Sequence, residues 1–147
     1  MKKTQTILII DDKRDLGGLI RVVLKDQNYK VVCAFSLREG KRKWMDLKPD
    51  VILLGRDLRD GSGFSLVERN PSLLATGKVI MITADTTPDT KIRAEMAGID
   101  HFIQKPFSLK LIRELVQEII SESDIIPVMI KTVDNRKKTI FNAVFSA

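Results

Sequence analysis

The sequence is poor in cysteine, histidine and aromatic side chains. It holds one cysteine, Cys33, among 147 residues. One thiol cannot close an internal disulfide, so no covalent staple holds the fold, and the chain suits a reducing compartment. Cys33 lies in the strand-like run YKVVCAF and reads as a small core side chain. There is also one histidine, His101. With no second imidazole to share a metal, it reads as an exposed or hydrogen-bonded side chain. No apolar run approaches the roughly 18 residues of a membrane span. The start, MKKTQTILIIDD, sets lysines ahead of apolar residues, but the apolar stretch is only Ile7 to Ile10 and acids follow at once. That excludes a signal peptide and points to the cytoplasm, with no membrane partner. Aromatic residues are 5% of the chain, and none interleaves with the basic clusters Arg38-Lys41-Arg42-Lys43 and Arg136-Lys137-Lys138. The net charge of +6 therefore reads as dispersed solvated faces, not as a nucleic-acid surface. Nucleophile elbow, Gly-rich phosphate loop and paired catalytic acid and base are all missing, as are repeats and low-complexity tracts. No enzymatic activity is expected.

What the chain does have is a composition of 44% hydrophobic and 30% charged residues, enough for one domain with a real core. Strand and helix patterns alternate along it. Short apolar runs at 6–10, 29–35, 50–54, 78–83 and 101–104 predict strands buried on both faces. Leu16, Leu19, Ile20 and Val23 recur at helical spacing and predict a helix over 13–27. Ser36 caps a second helix to about residue 46, in which Trp44 and Met45 sit at core spacing. Pro49 leads into the third strand. Asp60-Gly61-Ser62-Gly63 is turn chemistry, followed by a short helix over 64–69 and a loop or frayed helical end over 71–77. Thr87 and Pro88 open a fourth helix that Gly98 stops. Ser108 caps the last, with Ile112, Leu115, Val116 and Ile119 on one face. Five strands alternating with five helices predict an α/β fold: a three-layer, doubly wound, five-stranded parallel sheet. Function in such sheets lies beyond the carboxyl ends of the strands, where Asp11, Asp12, Gly55, Thr83 and Lys105 all fall.

The segments ILIIDD, VILLGRDLRDGSG, VIMITA and FIQKPF, in that order and spacing, resemble the receiver domain of two-component response regulators. The resemblance covers about residues 7–120. It implies a flavodoxin-like sheet with strand order 2-1-3-4-5. It also implies a receiver-like domain over 1–122, leaving 123–147 as a C-terminal extension. That extension could hold a hairpin about Asp134-Asn135-Arg136 or a helix from Lys138 onward. It could be a docking segment, or the start of a longer protein.

Phosphoryl transfer to a carboxylate needs a nucleophilic oxygen held in line, a divalent cation and fixed donors around the phosphate. By the resemblance, Asp11, Asp12 and the backbone carbonyl of Asp57 would hold magnesium, which usually takes only one or two carboxylates. Thr83 would donate its hydroxyl to the phosphoryl group and Ala84 would leave space beside it. Lys105 would pair with a phosphoryl oxygen, and Pro106 would fix the next turn, often through a cis bond. Thr83 and Phe102 would be the switch residues, Phe102 as the aromatic that swings inward.

Two positions depart from the pattern. The acceptor position is Gly55, which has no nucleophile, and Arg59 stands where proline is usual, which is expected to loosen the loop. Asp57 is a poor substitute acceptor, because two residues of extended chain displace a side chain by roughly 6–7 Å. A misplacement of only about 1 Å can cost on the order of a hundredfold in rate. With one carboxylate gone, Lys105 is expected to neutralise Asp11 and Asp12. Gly55 is expected to leave a small void for water, and magnesium to bind weakly or not at all, with Trp44 fluorescence as a reporter. The favoured function is a pseudo-receiver: a signalling module of a two-component phosphorelay, not phosphorylated at the usual position and acting by protein–protein contact. Its partner would be a histidine kinase or another signalling protein. The contact surface, or that of a homodimer, would be the fourth helix, fifth strand and fifth helix, with Ile92, His101, Phe102 and Lys110. The alternative is an ordinary phospho-accepting receiver whose aspartate was replaced through mutation or cloning, or whose acceptor is relocated. An unrelated doubly wound enzyme or ligand-binding protein is a third class, without a supporting motif.

Overall fold

The computed structural model describes residues 4–25 and 27–122. The expected hairpin or helix in the extension lies outside the described residues, as does the cluster at 136–138.

Five parallel strands form the main sheet: β1 (Thr6–Ile10), β2 (Lys30–Ala34), β3 (Val51–Gly55), β4 (Lys78–Thr83) and β5 (His101–Gln104). Their order is β2-β1-β3-β4-β5, as the resemblance to receiver domains implies. The central strands are apolar along their length because both faces are covered. Ile7, Leu8, Ile52, Leu53, Leu54 and Ile80 are fully buried. Helices α1 (Arg14–Lys25) and α5 (Leu109–Glu122) pack together on one face. On the other, α2 (Leu37–Leu47) meets α3 (Gly63–Arg69), which meets α4 (Pro88–Ala97).

Local chemistry sets most helix ends where expected. The Ser36 hydroxyl accepts from the Glu39 N–H, and the Glu39 carboxylate reaches back to the Phe35 N–H. The Ser108 hydroxyl accepts from the Leu111 N–H. Gly98 ends α4 at φ 84°, a left-handed conformation that glycine adopts without a side-chain clash. The run expected as loop or frayed helix is a 3₁₀ helix, Pro71–Thr76.

Two core assignments need correction. Leu19 is 54% exposed and Met45 is 56% exposed, so both sit at the edge of their helical stripes. Trp44 is fully buried and donates its indole N–H to the Thr76 hydroxyl just before β4. That is the amino end of the sheet, opposite the candidate site, so the expected use of Trp44 to report magnesium there has no structural support.

Candidate functional site

The parallel register brings the carboxyl ends of four strands to one rim. Ile10 pairs with Leu54, Gly55 with Ile82, and Thr83 with Gln104. The residues just past these ends converge, as the sequence predicts.

Asp11 is buried. One carboxylate oxygen accepts from the Lys13 N–H at 2.8 Å. The other leans towards Gly55: a Cβ placed on Gly55 would lie 2.9 Å from that Oδ2 and 3.3 Å from the Ile10 carbonyl. The expected water-sized void is therefore a space that Asp11 already fills. Asp12 is half-buried, and its Oδ2 accepts from the Arg59 N–H at 2.9 Å. Proline has no N–H, so arginine at 59 fastens this loop instead of loosening it, which corrects the expectation.

The same loop is held at two further places. Asp57–Leu58 and Gly61–Ser62 form a short antiparallel ladder. Asp60 accepts from the Leu37 and Arg38 N–H groups at 2.9 and 3.1 Å, capping α2 from outside the helix. Those bonds, Leu37 first, hold the Asp60 carboxyl below its ordinary pKa. Asp57 is exposed, and its strand partner is Ser62. Gly63 sits so close to the Gly55 carbonyl that no Cβ fits between them.

Thr83 is buried, and its hydroxyl accepts from the Asp85 N–H at 2.9 Å while donating to the Asp85 carbonyl at 3.3 Å. Ala84 beside it is exposed. The Lys105 N–H continues the ladder to the Thr83 carbonyl, and the Lys105–Pro106 bond is cis. Among the described residues no ion pair joins Lys105 to Asp11 or Asp12, contrary to expectation. Backbone N–H groups satisfy the two carboxylates instead. Phe102 and His101 are buried, so neither offers the contact surface expected of them. Ile92 and Lys110 are exposed.

Asp85 and Arg56 belong to this rim and were not singled out by sequence. Asp85 Oδ2 accepts from Arg56 Nη1 at 2.6 Å and from the Thr90 hydroxyl at 2.9 Å, and Oδ1 accepts from the Thr87 N–H at 2.9 Å. The Thr87 N–H, then the Thr87 and Thr90 hydroxyls and the Arg56 guanidinium, hold this carboxyl far below the usual carboxylate range. Thr87 occupies the cap position of α4 without a side-chain cap bond, and Asp85 holds that residue by accepting from its N–H. The available signal was an acid two residues past a strand end, followed by Thr-Pro and a second threonine.

As a metal site the rim is modest. Asp11 and Asp12 are two carboxylates, each with one oxygen already bonded to a backbone N–H. Among the described residues no group of three or more His, Cys, Asp or Glu side chains is arranged to hold a metal. A magnesium ion that keeps most of its water suits a site with so few carboxylates.

A sequence profile for the response regulator receiver domain matches residues 7–117. The chain belongs to this family. Curated relatives of the receiver domain include the phosphate regulon transcriptional regulatory protein PhoB of Pseudomonas aeruginosa, 36% identical over 117 residues, which are 78% of this chain and 50% of that protein. Another is the KDP operon transcriptional regulatory protein KdpE of Escherichia coli, 30% identical over 70% of this chain and 45% of that protein. The chain spans about half the length of these two relatives or less. Among solved structures, a two-component response regulator from Clostridium difficile superposes with a TM-score of 0.77 at 23% identity, covering 83% of this chain and 100% of that one. Chemotaxis protein CheY4 of Vibrio cholerae gives 0.73 at 24%, covering 80% and 99%. At that identity the structures speak for the receiver fold alone. Among the described residues no helix is long and apolar enough to cross a membrane.

Proposed function

We propose that this receiver domain works in a two-component phosphorelay as an interaction module that takes no phosphoryl group at position 55. One observation carries the proposal. Gly55, at the end of β3 where the family places its acceptor aspartate, has no nucleophile, and the buried Asp11 carboxylate fills the space a side chain would use. Thr83 and Lys105 then serve the shape of the rim. The Thr83 hydroxyl is bonded to the Asp85 backbone, and the Lys105 backbone extends the β4–β5 ladder.

Magnesium, if bound, would be held by Asp11, Asp12 and the Asp57 carbonyl, and would supply positive charge for an incoming phosphate. With both carboxylates already engaged by N–H groups, we expect weak binding. The partner is a histidine kinase or another signalling protein. The contact surface, which a homodimer would share, centres on α4 and α5, where Ile92 and Lys110 are exposed. Intact mass after incubation with acetyl phosphate and magnesium tests the proposal, and an unmodified chain is the predicted result.

The persistence of Asp11, Asp12, Thr83, Ala84, Lys105 and Pro106 around one rim favours a second reading. In it, Gly55 replaces the aspartate of an otherwise working phospho-acceptor.

A further inference from the structure

Helix α4 has little apolar anchorage. Of its ten residues only Thr90 and Ala94 are buried. Ile92 is 55% exposed and Met96 85% exposed, so much of its apolar surface faces outward. Burying one alanine methyl contributes much less than burying a full core side chain, so polar ties must do more of the positioning here. Two are available. One is the Arg93–Glu68 ion pair, which joins the middle of α4 to α3. The other is Asp85, whose carboxylate collects donors from Arg56 just past the end of β3, from the N-terminal cap of α4 at Thr87, and from Thr90 in its first turn.

We infer that the Arg56–Asp85 pair is a permanent ionic tie that locks the start of α4 to the end of β3. It would thereby keep the outward face bearing Ile92 and Met96 in one position without a chemical signal. The inference deepens the proposed function and rests on its claim that position 55 takes no phosphoryl group. Arg56 directly follows Gly55, and Asp85 lies two residues past Thr83, so the tie adds a side-chain link across the rim just beyond the last backbone bond between these strands, from the Arg56 N–H to the Ile82 carbonyl. An isolated, half-exposed ion pair contributes little. This carboxylate instead has three donors from three places, and the Asp85 backbone is pinned by Thr83, so its geometry is set before Arg56 arrives.

Arg56→Gln removes the ionic partner and leaves the α4 cap intact. Asp85→Asn weakens both. Hydrogen exchange of the full chain, in buffer without magnesium or phosphodonor, reads the result. The expected outcome is roughly tenfold or greater acceleration of amide exchange across α4 in Arg56→Gln, the loss of one charge-assisted hydrogen bond. Protection in α1 and α5 should be unchanged, which shows that the variant folds. Acceleration in Asp85→Asn with none in Arg56→Gln would overturn the tie and leave Asp85 as a helix cap. No acceleration in either would overturn it too. A phosphoryl adduct on the native chain, measured separately, would instead sink the underlying function.

Discussion

Gly55 and Gly63 lie against each other at the turn after β3, and a side chain on each would strike a different kind of neighbour. At Gly55 the nearest atom is the tip of the Asp11 side chain, which can rotate; at Gly63 it is the Gly55 carbonyl, part of a central strand. Gly63→Ala is therefore expected to lower stability by about 1–3 kcal/mol through overpacking, and Gly55→Ala by clearly less. Urea unfolding of the two variants checks the order. Asp60 offers a second prediction. Its carboxyl is held below the ordinary value of 3.8 by the α2 N–H groups, so it binds its proton less readily folded than unfolded. The stability it contributes is complete above about pH 4. It is lost as pH falls through the lower folded pKa. Asp60→Ala should cost roughly 1 kcal/mol at neutral pH, as for loss of a helix cap. That gap in melting temperature should close on acidification below pH 4. A constant gap would mean that Asp60 acts through packing alone.

At the scale of elements, strand positions were legible because a parallel strand covered on both faces is a short apolar run between turn residues. The ends of α2, α4 and α5 were legible from Ser36, Thr87-Pro88, Gly98 and Ser108, which carry local chemistry. The fastenings of the loop after β3 were not. Arg59 reaches Asp12 and Asp60 reaches Leu37 through backbone N–H groups 22–47 residues away in sequence, and side-chain identity does not announce those contacts. The Arg59 expectation failed for this reason: losing proline frees an N–H, and the fold uses it. Arg59→Pro should weaken the link between β1 and this loop. Faster amide exchange at residues 57–62 would show it, whereas unchanged exchange would mean that the ladder and Asp60 suffice. Trp44 keeps a use as a reporter. Its fluorescence should track global unfolding, since it is fully buried and bonded to Thr76.

Over the whole molecule, fold class and the convergence of site residues follow from alternation plus the rule that parallel sheets gather function at their carboxyl ends, while strand order was legible only through the resemblance to receiver domains. What the pocket does was less legible, because it depends on which partner each carboxylate chooses. Asp11 and Asp12 take backbone N–H groups and Asp85 takes Arg56, while Lys105 was the expected counter-ion. Calorimetric titration should accordingly give millimolar rather than micromolar magnesium affinity, on the order expected for a site with few engaged charges. The central claim is that this receiver domain signals with no phosphoryl group at position 55. Its most direct test is intact mass after incubation with acetyl phosphate and magnesium, on the native chain and on Gly55→Asp. The account predicts no adduct on the native chain and one phosphoryl group on the variant, once Asp11 has turned aside. An adduct on the native chain would contradict it and place the acceptor on Asp57, Asp12 or another residue.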